Sequence, residues 1–346
     1  MMAAVLFSAS PALAQQWSFE AEALYLQRDI PGGIVTSNNN SLASFAGLTP
    51  NTTALSTENL DFDWEVGFRA TLGFHPDANN SWEATYWGLH EWSDRASAQP
   101  CANIGGFFTA CAFLDAVFSQ GLSLGSALPS INSFNFASQH EIKYETEIHN
   151  AELNYWRHLS RWGNFHPSIL VGIRYIDLRE EFKLSSIGGT VVIPLIGVAL
   201  SQGSGEYKIE TQNRMIGIQF GGQGVWRVNQ RVGVGIRAKV GLLANFADQD
   251  SDLTNTNLIL APGTTTLSKS ASEEGFATVA EAGAFITWNV WRNLSLRVGY
   301  DVFHMGGVAL APEQFASSNT TDAFAQLDRN GSALYHGPSG GVRIVW

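Results

Sequence analysis

Charge is scarce in this chain: Asp, Glu, Lys and Arg make up only 15% of its 346 residues, against 45% hydrophobic ones. A soluble globular domain carries nearer ~25%, so an ordinary water-facing surface is a poor match. Long hydrophobic runs are missing as well. No stretch of ~18 consecutive apolar residues occurs, which excludes a membrane-spanning helix. Cysteine is limited to Cys101 and Cys111 in one polar stretch, read as a loop disulfide in an exported protein. Without nearby His, a metal pair is not expected there. Basic residues are outnumbered, 20 against 31, giving a net charge of −11, and this excludes nucleic acid as a partner. They are also lacking at the start, where residues 3–9 are small and apolar and Ala12-x-Ala14 forms a small-residue cleavage site. Residues 1–14 are therefore expected to be the remnant of a secretory signal without its basic region, and 15–346 one mature domain.

What the chain has instead is period-two alternation, 34 glycines and 11 tryptophans. From 62 to 74, Phe62, Trp64, Val66, Phe68, Ala70, Leu72 and Phe74 share one face of an extended strand. Asp63, Glu65, Gly67, Arg69, Thr71 and Gly73 share the other. That apolar face is tall enough to cross a bilayer as a tilted strand of ~9–11 residues. Further strands are read at 17–26, 81–92, 139–157, 169–175, 206–226, 232–242, 274–288, 294–302 and 333–346. The alternation changes phase near His149-Asn150 and near Arg214-Met215, and a β-bulge is expected at the first.

That makes ten strands. Turns of about four to eight residues lie at one end and long loops, 27–61, 93–138, 181–205, 247–272 and 304–332, at the other. This one-sided arrangement predicts an all-β fold: a transmembrane antiparallel up-and-down β-barrel with periplasmic turns and extracellular loops. In lipid every strand edge must be paired, so the sheet has to close. Trp17, Phe74, Trp82, Tyr155, Trp226, Trp288 and Trp346 fall at the turn end on the apolar parity, as one aromatic girdle. Tyr25, Phe62, Tyr175 and Tyr300 suggest the other. The chain closes on Ser339, Gly341, Ile344 and Trp346, similar in spacing to the C-terminal signal that barrels present to their assembly machinery.

Several segments resemble the pore-forming outer-membrane proteins of the Legionella major outer-membrane protein type and their planctomycete relatives. They are Phe19-Glu20-Ala21-Glu22-Ala23-Leu24-Tyr25-Leu26, Phe62-Asp63-Trp64-Glu65-Val66-Gly67-Phe68-Arg69, Trp82-Glu83-Ala84-Thr85-Tyr86-Trp87-Gly88, Val171-Gly172-Ile173-Arg174-Tyr175 and Asn213-Arg214-Met215-Ile216-Gly217-Ile218-Gln219. The resemblance implies a porin-like or surface protein of the Gram-negative outer membrane. Its partners would be outer-membrane lipids, the assembly machinery and small solutes or ions. It supplies no catalytic residue and no cofactor.

The parity opposite the apolar one should line the lumen: Glu20, Glu22, Glu65, Arg69, Glu83, Glu152, Arg174, Arg237, Lys239, Glu281, Arg297, Asp301 and Arg343. Such a balanced set can line a narrow pore with a transverse field, or pair across the lumen and plug it, as in small barrels filled by side chains. Inward glycines such as Gly172, Gly235 and Gly283 leave room, and with the resemblance they favour a pore for passive diffusion. In that reading 93–138 or 181–205 narrows the mouth; in the alternative a closed barrel binds a surface partner through its loops. Enzymatic groupings are sparse: Asp301 with His304, and Glu147 with His149, read as rim polar groups rather than a catalytic pair. Asp248-x-Asp250-x-Asp252 begins like a calcium loop, but Leu253 stands where glycine is needed and Ile259 where glutamate is. The apolar stretch 191–196 folds over the lumen, meets a neighbouring subunit or extends a hairpin; oligomeric state is not legible here.

Overall fold

A computed structural model describes residues 16–40, 52–100, 113–119, 131–135, 137–188, 190–193, 198–201, 203–257, 263–316 and 322–346. The signal remnant and both cysteines with their expected disulfide lie outside the described residues. Among the described residues fifteen strands run in chain order: β1 Gln16–Arg28, β2 Val35–Asn40, β3 Thr52–Ser56, β4 Glu65–His75, β5 Asn80–Ala98, β6 Phe113–Ala116, β7 Ala137–His158 and β8 Phe165–Gly188. They continue as β9 Thr190–Ile193, β10 Val198–Ser201, β11 Ser204–Arg227, β12 Val232–Asn257, β13 Gly263–Asn289, β14 Leu294–Val308 and β15 Gly331–Val345. Ten of them pair antiparallel in a closed ring, β1-β4-β5-β7-β8-β11-β12-β13-β14-β15 and back to β1. Closure satisfies both edges, and Trp17 and Trp346 seal the last rung by exchanging two backbone hydrogen bonds of 2.9 Å. The other five strands lie at the loop end, where β9 and β10 form a hairpin that takes in residues 191–193 of the apolar stretch 191–196, the rest of which lies outside the described residues.

Several expected loops are in fact strand. β8, β11, β12 and β13 are 24, 24, 26 and 27 residues long, more than twice the ~9–11 that a bilayer requires. The stretch 247–272 is largely the hairpin of β12 and β13, while 181–205 and 93–138 lose their ends to β5, β7, β8 and β11. The ring therefore rises far beyond the lipid.

This projection also explains the phase changes. From His140 onward β7 keeps one face inward, as β11 does, and their pairing to β8 and β12 shows no bulge at either suspected point. The only register shift beside His149 belongs to β5, between Gly88 and His90. What inverts is the solvent. In the lower half Ile169, Val171, Ile173, Ile216, Ile218 and Phe220 face outward to lipid. The row Ala151–Tyr175–Ile216–Ala244 is followed by His149–Asp177–Arg214–Phe246. Above it Ile142, Tyr144, Ile148, Ile176, Leu178, Phe182, Leu184, Tyr207, Ile209 and Met215 point inward into one buried apolar core, and Lys and Glu point out. A sheet surrounded by hydrocarbon needs apolar groups outside, and one surrounded by water needs them inside.

Phe62 belongs to that upper core. It is 1% exposed, lies 5.1 Å from the Tyr144 ring and precedes β4, so it is no part of an outer girdle. The interior is further closed by 308–316. The β14–β15 ladder slips between Gly306 and Val308, and Gly307 takes φ +82, a conformation that suits glycine. The chain turns inward there and becomes a strap buried across Val308–Ala311. Asn213 of β11 holds it by accepting from the Ala309 N–H and donating to the Ala309 carbonyl, both at 2.8 Å. Glu180 of β8 accepts from the Ala311 N–H at 2.8 Å. Phe118, Phe134, Tyr207, Phe315 and Phe324 pack around it.

Candidate functional site

Within the lipid-embedded half, inward parity gathers the predicted charges on seven strands into one layer. Glu20 accepts from Arg297 at 3.1 Å, and Arg297 lies 3.5 Å from Glu22. Glu22 meets Arg69, which reaches Asp301 at 3.2 Å. Arg237 stands 3.4 Å from Asp301 and 3.5 Å from Glu281. Lys239 bridges Glu281 at 3.4 Å and Glu152 at 2.8 Å, and Arg174 lies between Glu281 at 3.2 Å and Glu152 at 3.4 Å. Five cations thus face five carboxylates, and no sign is left over. The pairs Arg69–Asp301, Arg174–Glu281 and Lys239–Glu152 join strands three apart in the ring, so they cross the lumen rather than run along the wall.

Neutral groups complete the layer. Arg174 donates to Asn150 at 2.6 Å, Gln219 and Asn154 donate to Glu152 at 2.8 and 2.9 Å, and Ser339 donates to Asp301 at 2.7 Å. Arg174 lies over the Phe303 ring, its guanidinium carbon 4.8 Å from the centroid. The inward glycines leave less room than their number suggests. A side chain at Gly235 would meet the Phe285 ring, one at Gly172 would meet Asn154 and one at Gly283 Asp301. Buried ions keep their charge only when paired, and each of these has an opposite charge within 3.5 Å.

Three predicted lumen charges stand apart from the layer. Glu65 is half-buried at the start of β4, Glu83 accepts from the Trp156 indole at 2.6 Å, and Arg343 lies toward the turn end. Arg28 and Glu180 form a fully buried ion pair in the upper core that the sequence reading missed. Arg28 simply continues the inward parity of Glu20, Glu22, Leu24 and Leu26. Gln219, Asn150, Asn154 and Asn213 were missed too, since a neutral polar residue carries no pairing signal in sequence.

The aromatic residues at the turn end form a rim. Trp17, Trp82, Trp226, Trp288 and Trp346 are exposed outward, and Phe74 and Tyr155 pack on Trp17 and Trp82 at 4.8 and 5.1 Å. Tyr25, Tyr175 and Tyr300 are outward at the other boundary. Ile344 points outward, while Gly341 sits close against the Ala21 carbonyl. One enzymatic grouping separates: Asp301 faces the lumen and His304 the outside of the same strand. Glu147 and His149 meet at 2.8 Å with Tyr86 on the outer wall. Asp248, Asp250 and Asp252 lie on the outer face of β12, with Arg214, Ser272 and Ser268 as partners. Among the described residues no cluster of His, Cys, Asp and Glu suits a metal ion.

A family profile described as "Putative beta barrel porin-7" matches residues 17–333. The chain belongs to this family. With a closed ring and an apolar outer belt, this membership places the protein in the outer membrane. No curated protein matches it by sequence. Among solved structures it is similar to the outer-membrane protease OmpT of Escherichia coli, at 10% identity over 96% of this chain and 97% of that one, with a TM-score of 0.45. The attachment invasion locus protein Ail of Yersinia pestis shares 8% identity over 95% and 98%, with a TM-score of 0.20. A FadL homologue of Pseudomonas aeruginosa shares 8% over 96% and 90%, with a TM-score of 0.27. These likenesses are too distant to say anything about what this barrel-porin relative does.

Proposed function

We propose that this member of the barrel-porin family is a sealed outer-membrane barrel whose working surface is the sheet projecting beyond the lipid. The observation that carries this reading is the balanced ion-pair layer across the lumen, backed by the buried strap at 308–316. In such a protein the lower wall anchors and the upper wall, with the segments around β2, β3, β6, β9 and β10, meets a surface partner. Reconstituted in a planar bilayer, the folded protein should give no steady current steps; ohmic steps of uniform size would overturn the reading.

A second reading is supported by the family's description and by the resemblance to Legionella-type outer-membrane proteins: a narrow pore for small solutes or ions. The ion-pair layer would then act as a charged filter that rearranges, and the same current recording decides between the two. Neither reading involves catalysis. In both, Ser339, Gly341, Ile344 and Trp346 serve recognition by the assembly machinery, and outer-membrane lipids are partners along the apolar belt.

A further inference from the structure

Below the ion-pair layer the lumen opens at the turn end into a cavity of about 250 Å³. Outside the balanced layer Arg227 and Arg343 line it against Glu83 alone, so its walls carry an excess of one positive charge. The excess is not spread evenly. Glu20 lies directly opposite Arg343 in the β1–β15 ladder, yet its carboxylate is taken by Arg297 at 3.1 Å. Arg343 is left without a carboxylate among the described residues. Its nearest acceptors are the Ser18 hydroxyl at 3.4 Å and the His75 ring at 3.5 Å. A guanidinium has five N–H donors in a fixed fork, and among the described residues only the Nη2 of Arg343 has a hydrogen-bond partner.

One further donor comes from the cavity's floor. The Nε–H of Arg237 is buried and has no hydrogen-bond acceptor, whereas that of Arg297 faces Glu22 at 3.5 Å. On the side wall His158 stacks with His75, ring centroids 6.5 Å apart, and is bonded to Ser168 at 2.9 Å. An oxyanion suits such a place. Arginine forks bind phosphate and carboxylate oxygens in pairs, and a pocket with low-dielectric walls and one excess sign concentrates the opposite ion.

We propose that this cavity binds a small oxyanion, a phosphate or a carboxylate, that enters from the turn end. Arg343 is its main donor, with the free Nε–H of Arg237 behind it and His75 beside it. The site does not depend on whether the barrel conducts, since it lies on the near side of the ion-pair layer. Its failure would leave the bilayer result untouched.

The test is isothermal titration of the refolded full chain in detergent, with inorganic phosphate in one arm and succinate in the other. Saturable binding of either supports the site, and the arm that binds tells a phosphoryl from a carboxylate ligand. Arg343→Gln should weaken that binding at least tenfold while keeping the folded, heat-modifiable band on a gel, and Arg343→Lys should restore part of it. If Arg343→Gln does not fold, His75→Gln serves in its place and should weaken binding several-fold. No saturable heat with either anion overturns the proposal, as does equal binding by the wild type and the folded variants.

Discussion

Lys239 of β12 reaches Glu152 of β7 at 2.8 Å across the lumen, with β8 and β11 standing between them in the ring. Both side chains are almost fully buried. Taking two ions out of water costs several kcal/mol each, and the pair holds only because each ion has further partners. Glu152→Gln leaves Lys239 and Arg174 one carboxylate short. It should destabilise the folded barrel by about 3–5 kcal/mol, read as a lower urea midpoint for unfolding from lipid vesicles. A loss under ~1 kcal/mol, the range of a solvated surface pair, would show that water reaches this layer.

The double variant Glu152→Gln with Lys239→Met should lose less than Glu152→Gln alone. Removing both members leaves Arg174 to Glu281, which it already meets at 3.2 Å, and a neutral pair of similar volume is often tolerated. Strict additivity of the two single losses in the same urea experiment would refute the coupling.

The ring and the parity of its lower half were legible because lipid imposes one sign of alternation that sequence displays directly. Glu22, Arg69 and Asp301 could be assigned inward for that reason, since a charge facing lipid is costly. Their pairing could not be read: Arg69 and Asp301 are 232 residues apart, and which strands face each other depends on closure and tilt. The upper half was misread for a related cause. Once β7 and β11 leave the lipid, Tyr144, Ile148 and Met215 turn the apolar parity inward, which resembles a bulge to anyone assuming one solvent throughout. Arg28 was lost in a stretch taken for a loop, Glu180 fell between the strand read at 169–175 and the loop read at 181–205, and the strap at 308–316 has no periodicity at all.

Phe62 tests this change of solvent. Facing lipid it would be dispensable; packed on Tyr144 inside the projecting ring it is not. Phe62→Ala should cost about 3–5 kcal/mol, whereas Val66→Ala, at an outward position 62% exposed, should cost under ~1.5 kcal/mol. Comparing the two by thermal or urea unfolding is enough.

Outward positions on β12 test the belt itself. Val240 is exposed on the apolar face between Ala238 and Leu242. Val240→Arg should destabilise the inserted barrel by about 2–4 kcal/mol if it sits near the bilayer midplane. The same substitution at Asp250, above the lipid, should change stability by less than ~1 kcal/mol. Equal effects in vesicles would place the belt wrongly.

The strap should respond to pH through Glu313. This carboxyl lies in the extracellular segment after β14, half-buried and facing Asp328, Glu180 of β8 and, as the one nearby cation among the described residues, Arg28 of β1. Burial first, then the two neighbouring carboxylates, push its pKa up to about 7 from an ordinary 4.5. A carboxyl raised on folding adds stability that is fully present below its unfolded value and is lost as pH rises through its folded value. The strap is therefore tightest near pH 4.5 and loosest above pH 7. Amide exchange across 308–316, corrected for intrinsic rates, should lose roughly tenfold of its protection between pH 5 and 8, the half-exposed carboxyl being partly screened. In Glu313→Gln the protection should stay at its low-pH level throughout that window. A wild-type strap equally protected at both ends, or a Glu313→Gln strap that still loosens, would assign the strap's stability to Asn213 and the aromatic packing alone.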